Sequence, residues 1–155
     1  MAASRMKDAP GNIRSGQFVI GDRGNILNDD TEDSEKVKTV RVLIRRKDGK
    51  FLCVRNYDEK LKIGFPGGGV DAGELEEDAA IRELWEETGL IADNIKLIDV
   101  DLFMDKEVSV FLADDYEGRL KSSEEGQTGL CSIKTLLSGF YGEYYSKLFK
   151  KLGYI

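Results

Sequence analysis

The tightest constraint on how this chain folds lies at residues 65–90, where Phe-Pro-Gly-Gly-Gly leads into an acidic segment with helical spacing. Pro66 fixes one backbone angle, and Gly67, Gly68 and Gly69 allow a sharp turn and a close approach of backbone to a ligand. Residues 76–88 then read as a helix with two unlike faces. Glu83, Glu86 and Glu87 stand at i, i+3 and i+4 and share one side. Ala80, Ile81, Leu84 and Thr88 lie toward another, largely apolar side, and Gly89 follows as a C-cap. One side of this helix needs a core. The other crowds negative charge and needs a reason.

Around this segment the hydrophobic periodicity alternates between strand and helix. Residues 37–56 read as a hairpin, with Val37, Val40, Val42 and Ile44 on the first strand, a Lys47-Asp48-Gly49-Lys50 turn, and Phe51, Leu52, Cys53 and Val54 on the return. Two further strands are expected at 95–104 and 107–115 around Asp105-Lys106, then a loop at 116–129 and a segment at 130–139 that fits either type. Tyr141, Tyr145, Leu148, Phe149 and Leu152 recur at helical spacing and predict a closing helix whose aromatic stripe faces the core. Strands, helix, strands, helix implies an α/β (α+β) sandwich, a mixed β-sheet flanked by helices. Residues 1–36 read as a polar arm with a short hairpin in it, and 37–155 as the folded domain.

Composition excludes several chemistries. With no histidine in 155 residues, Ser-His-Asp and Cys-His nucleophile systems and imidazole acid–base catalysis are ruled out. Cys53 and Cys131, far apart in sequence, read as two reduced, buried small side chains and cannot alone make a four-ligand zinc site. The net charge of −6 argues against binding to DNA by its backbone. The N-terminus lacks the apolar core of a secretory signal and no apolar run is long enough to span a membrane, so a cytoplasmic location without a membrane partner is the expectation.

Carboxylates that share a helix face repel by a few tenths of a kcal/mol per pair in water, roughly. Arg82, four residues before Glu86, offsets part of this. A divalent cation would offset far more, since hard ions such as Mg²⁺ take carboxylate oxygens and complete their shell with substrate phosphate. Glu76, Glu77 and Asp78, by contrast, are suited to the positive end of the helix dipole.

Gly68, Glu74 and Arg82-Glu83-Leu84-Trp85-Glu86-Glu87-Thr88-Gly89-Leu90 fill every fixed position of the pattern G-x5-E-x7-R-E-U-x-E-E-x-G-U, where U is bulky and aliphatic. In this the chain resembles the Nudix hydrolases, and the strand order is similar to the Nudix fold. The resemblance implies cleavage of a phosphoanhydride in a nucleoside diphosphate derivative with Mg²⁺ or Mn²⁺. It implies that Glu86 and Glu87 ligate the metal, that Glu83 is a further ligand or the general base, and that the Gly67 carbonyl completes the inner shell. Arg82 and Glu74 would brace loop against helix. Some members draw the base from a later loop, for which Glu124 and Glu125 are the candidates. Gly68 and Gly69 would lie against the substrate, and Arg55, ending a strand before the glycines, would contact phosphate; Arg45, Lys60 and Lys62 read as ordinary surface charges, and Trp85 as packing beside the core.

The subfamily marks lie outside this box. The proline that marks ADP-ribose hydrolases is replaced by Phe103-Met104-Asp105, and the tyrosine of diadenosine polyphosphate hydrolases by Lys106-Glu107. The expected substrate is therefore a small nucleotide, most simply a nucleoside triphosphate, for a monomer or homodimer. Nucleotide sugars, RNA 5′ ends and diphosphoinositol phosphates are the alternatives, as is a Nudix-like binding module without catalysis.

Overall fold

The computed structural model describes residues 37–155. The polar arm and short hairpin expected over 1–36 lie outside the described residues. The elements run β1 (Val37–Leu43), β2 (Phe51–Asn56), β3 (Ile63–Gly64), β4 (Gly67–Gly69), α1 (Glu76–Thr88), β5 (Leu90–Phe103), β6 (Lys106–Gly118), β7 (Gly126–Cys131), α2 (Ile133–Ser138) and α3 (Gly142–Leu152).

Two mixed or antiparallel sheets carry the fold. One is four-stranded, in the order β4-β1-β6-β5, and the other three-stranded, in the order β3-β2-β7. In the first, β1 runs parallel to β6 and antiparallel to β4. A strand with neighbours on both edges and both faces covered should be apolar throughout; Val40, Val42 and Leu43 of β1 are fully buried.

The alternation along β1 separates two cores. Val40 and Val42 pack with Ala79, Ala80 and Leu84 of α1 and with Phe111 and Ala113 of β6. On the opposite face Leu43 joins Phe51, Phe65, Val110, Leu136, Tyr145, Leu148 and Phe149, so α3 covers that side. Lys151 of α3 bonds Asp99 and Asp101 of β5, with Lys147 also on Asp101, which holds the Asp101 carboxyl down at about 2.

Three expectations are corrected. First, 37–56 is not a hairpin within one sheet: β1 and β2 belong to different sheets, joined by the single Arg45–Phe51 bridge and the Leu52 N–H bond to the Ile44 carbonyl. The apolar β1 is claimed by β4 and β6, which leaves β2 to pair with β7. Second, the glycine run is not itself the turn. Gly67, Gly68 and Gly69 form β4, opposite Arg41, Val40 and Thr39. A side chain on Gly67 would collide with the Val40 carbonyl, so glycine here permits close strand approach. The reversal comes later, at Gly73 with φ 79°. Third, Cys53 and Cys131 are not free thiols but a disulfide, with Cα atoms 6.4 Å apart. Antiparallel pairing of β2 with β7 sets Cys131 opposite Phe51, which brings together two residues 78 apart in sequence. Disulfides are rare in a reducing cytosol, so this bridge and the expected cytoplasmic location pull in opposite directions.

The helix at 76–88 has the expected bounds, and Gly89 caps it with φ 82°. The β5–β6 turn is centred on Met104 and Asp105, both at positive φ, rather than on Asp105-Lys106. Residues 130–139 resolve into the end of β7 followed by α2, with Ser132 capping the Thr135 N–H.

Deep in the α3-side core, the Phe65 N–H donates to the Tyr145 hydroxyl at 2.8 Å. Replacing Tyr145 by Phe strands that buried donor. The expected cost is about 1–3 kcal/mol in denaturant unfolding; a loss below ~0.5 kcal/mol would mean that the bond does not hold β3 and β4 to α3.

Candidate active site

Arg82 organises the acidic side of α1. Its Nε and Nη2 donate to the two oxygens of Glu74 at 2.8 and 2.9 Å, a two-pronged contact that ties the loop before α1 to the helix. Nη2 also reaches the Gly69 carbonyl at 3.1 Å, while Nη1 donates to Glu83 and Glu86, each at 3.2 Å. Burial would raise the Glu74 carboxyl, but its bonds from Arg82 and the Asp71 N–H bring it below its ordinary value. The bracing role expected of Arg82 and Glu74 thus has its geometry.

Glu87 shares the face of Glu83 but is tied to β4 rather than to Arg82. The Gly67 N–H donates to its Oε1 at 2.9 Å, so β4 fixes it directly. Burial pushes its carboxyl up to about 7; the Gly67 bond and Arg41 pull against this, and the charges of Glu83 and Glu125 add to it. Glu83 is raised for the same first reason, with Arg82 opposing and Glu86 and Glu125 contributing. The Glu83 carboxylate rests on Gly68, where any Cβ would overlap it. Glu86 is exposed apart from its bond to Arg82.

Among the described residues no three acidic, histidine or cysteine side chains already converge as a metal cage. Glu83 and Glu86 are turned to Arg82, and Glu87 to Gly67. The donor chemistry nonetheless fits a hard divalent ion: the groups are carboxylates, and Glu83 and Glu87 carry buried, mutually repelling charge that a cation would relieve.

Beside α1 lies a cavity of about 310 Å³, within the size range of small-molecule sites. It is lined by Glu87 and Glu125, by Arg41 and Thr39 of β1, and by Phe103, Phe140, Tyr141 and Tyr144. Glu125 therefore comes from the β6–β7 loop to share this space with Glu87, whereas Glu124 does not line it. Arg55 is not brought to the cavity. Its guanidinium donates to the Lys60 carbonyl at 2.6 Å, and it borders two other hollows instead, one of them, about 360 Å³, lined by Cys53 and Cys131. Lys62, read as a surface charge, does line the cavity, paired with Glu59 and lying over the Phe140 ring. Gly69 spends its carbonyl on Arg82, and Trp85 is half-buried under Lys121.

Arg41 and Tyr144 were missed from sequence. Tyr144 shares the aromatic stripe with the core, but only the packing of α3 against Phe103 shows that part of this stripe lines a cavity. Arg41 carried a signal in principle: it is a charge set among the apolar Val40, Val42, Leu43 and Ile44.

The NUDIX domain family model matches residues 35–144. The chain belongs to the Nudix family. This Nudix chain is 35% identical over 94 residues to an RNA pyrophosphohydrolase of Erythrobacter litoralis (strain HTCC2594), covering 59% of this chain and 55% of that one. It is 34% identical over 92 residues to an ADP-ribose pyrophosphatase of Methanocaldococcus jannaschii, covering 54% of each. The chain thus spans about half the length of these curated relatives. The Nudix fold is shared with solved structures. A MutT NUDIX hydrolase from Burkholderia pseudomallei superposes with TM-score 0.57 at 25% identity over 63% of this chain and 84% of that one. A MutT protein from Bacillus halodurans superposes with TM-score 0.61 at 22% identity over 74% and 80%.

Two outcomes follow for this site. Gly68→Ala should push the Glu83 carboxylate aside and weaken Mn²⁺ binding about tenfold or more in a calorimetric titration; unchanged affinity would detach Glu83 from the ion. The second concerns pH. A carboxyl that holds its proton more tightly in the folded state stabilises the fold below its ordinary value near 4.5, and that contribution is lost as pH rises through about 7. Metal-free Glu87→Gln should therefore exceed wild type in stability at pH 8, by up to about 3 kcal/mol, with the gap shrinking toward pH 5. Equal stability at pH 8 would show that Glu87 carries no such burden.

Proposed function

We propose that this protein is a divalent-metal-dependent hydrolase that cleaves a phosphoanhydride bond in a nucleoside diphosphate derivative, most simply a nucleoside triphosphate. The observation that supports this best is the meeting of two acidic elements at one cavity. Glu87 from α1 and Glu125 from a loop far along the chain line the same space, and Glu83 lies close enough to both to feel their charge.

Glu83, Glu86 and Glu87, with the Gly67 carbonyl, would hold Mg²⁺ or Mn²⁺. When bound, such an ion neutralises phosphate charge and acidifies water. The chain's own groups supply the rest. Arg82, locked on Glu74 and Gly69, keeps the β4–α1 loop in place and steadies Glu83 and Glu86. The N–H of Gly67 fixes Glu87 at the cavity wall. Glu83 or Glu125 accepts the proton of the attacking water, since both lie beside Glu87 and neither is tied to a structural partner as firmly as Glu74 is. The aromatic wall excludes water from the far part of the cavity and offers faces for a planar base.

A second reading has its own support. The similarity to an RNA pyrophosphohydrolase makes an RNA 5′ end a candidate substrate. The net charge of −6 weighs against a long polyanion, which needs cations along its track.

A panel of nucleoside triphosphates, ADP-ribose and triphosphorylated RNA, incubated with Mg²⁺ or Mn²⁺ and assayed for pyrophosphate and phosphate, decides between them. Glu87→Gln should lower kcat by about 10²–10⁴-fold and Glu125→Gln by less, with the fold intact by circular dichroism. Wild type and Glu87→Gln equally inert across the panel would turn the account to a binding module.

A further inference from the structure

Arg41 is a cation on the inner face of a central strand. Its neighbours on that face are Thr39, 7% exposed, and Leu43, fully buried. Val40 and Val42 on either side face α1, so alternation turns Arg41 toward α3. A guanidinium brings five N–H donors. Among the described residues Arg41 spends one of them, on the Phe65 carbonyl at 3.4 Å, and no carboxylate lies within ion-pair distance of it. Arg82, by contrast, is bonded on every nitrogen. A half-buried charge with so few partners is costly unless something else meets it.

Its position says what that is. Arg41 lines the cavity together with Glu87, Tyr144 and Tyr145 and lies near enough to act on all three electrostatically. It therefore shares one space with Glu87 and with the aromatic compartment. Phe103 packs there against Tyr141 and Tyr144, and Phe140 against Tyr141. The compartment carries its own unused group: among the described residues the buried Tyr144 hydroxyl has no hydrogen-bond partner. The Arg41 guanidinium, with its one bond to the Phe65 carbonyl, and Tyr144, whose hydroxyl has no partner among the described residues, line a pocket with aromatic walls. The complementary ligand is an anion joined to a planar, acceptor-bearing ring.

We propose that Arg41 anchors the substrate phosphate that carries the base, with the base held among Phe103, Phe140 and Tyr141 and its edge accepting from Tyr144. This rests on the nucleotide hydrolase reading and deepens it. It moves the phosphate contact expected at Arg55 to a residue on a different strand. It also places the Phe103-Met104 turn, where the family's subfamily marks fall, at the wall of the base compartment.

The test is binding without metal, by calorimetry on the full chain. Guanosine and adenosine 5′-monophosphates are compared with the corresponding nucleosides. Wild type should bind at least one monophosphate about tenfold or more tightly than its nucleoside. Arg41→Gln should erase that difference while nucleoside binding persists, which also shows the cavity to be intact. Arg41→Lys should retain part of it, and Arg55→Gln all of it. Tyr144→Phe should weaken monophosphate and nucleoside alike. In case Arg41→Gln does not fold, the side-chain Nε–H resonance of Arg41 in the wild type is followed by NMR and should shift with monophosphate but not with nucleoside. No preference for the monophosphate in wild type, an unchanged preference in Arg41→Gln, or a silent Arg41 resonance would each overturn the proposal. Monophosphate binding through Arg41, with no turnover of nucleoside triphosphates, ADP-ribose or triphosphorylated RNA under Mg²⁺, would sink the hydrolase reading and leave Arg41 as the phosphate anchor of a nucleotide-binding module. Turnover with an unchanged KM in Arg41→Gln would do the reverse.

Discussion

The ion-pair fork of Arg82 on Glu74 is the contact on which the site depends. It closes the loop between β4 and α1, and the same guanidinium reaches Gly69, Glu83 and Glu86. An exposed pair of this kind would contribute little. Here the side chains are only 19% and 13% exposed and the geometry is two-pronged, so losing one partner would leave the other charged and poorly solvated. Arg82 also explains how so many acids coexist on one short helix. It bonds Glu74, Glu83 and Glu86 at once, offsetting part of their charge, and leaves Glu87, on the cavity side, as the carboxylate that burial disfavours most.

The rest of the fold delivers other groups to that helix. β1 is the shared wall: one face seats α1 through Val40 and Val42, and the opposite face carries Arg41 toward the cavity and Leu43 into the α3-side core. β4 lies flush against β1 because Gly67 has no side chain to meet the Val40 carbonyl, and from there its backbone holds Glu87. α3 and its N-cap supply side chains that serve as core at Tyr145, Leu148 and Phe149 and as cavity wall at Tyr141 and Tyr144. The acidic half of the cavity, from α1 and the β6–β7 loop, and the aromatic half, from the β5–β6 turn and the start of α3, thus meet beside β1.

What could be read from the sequence follows from the range of the forces involved. The bounds of α1, its two faces and its Gly89 cap are local properties of spacing and backbone freedom, and they are legible in residues 68–90. The apolar character of β1 was legible too, but its partners were not. Pairing with β4 and β6 instead of β2 depends on which strands cover it, and that is decided across the whole fold. The same holds for the disulfide, created by the β2–β7 register, and for Glu125, an ordinary loop acid until β6 and β7 bring it back to Glu87. Arg55 and Arg41 show the limit most clearly. Both are arginines on neighbouring strands in sequence, and only the division of those strands between two sheets decides which one faces the cavity.

The central claim is that the acidic side of α1 is a cation site held open by Arg82. Crystals grown with Mn²⁺ and measured near the manganese absorption edge test it most directly. The account predicts an anomalous peak in contact with Glu83, Glu86 or Glu87 and near the Gly67 carbonyl, with Arg82 still on Glu74. No peak at that position, with Glu83 and Glu86 still bonded to Arg82 at millimolar manganese, would contradict it.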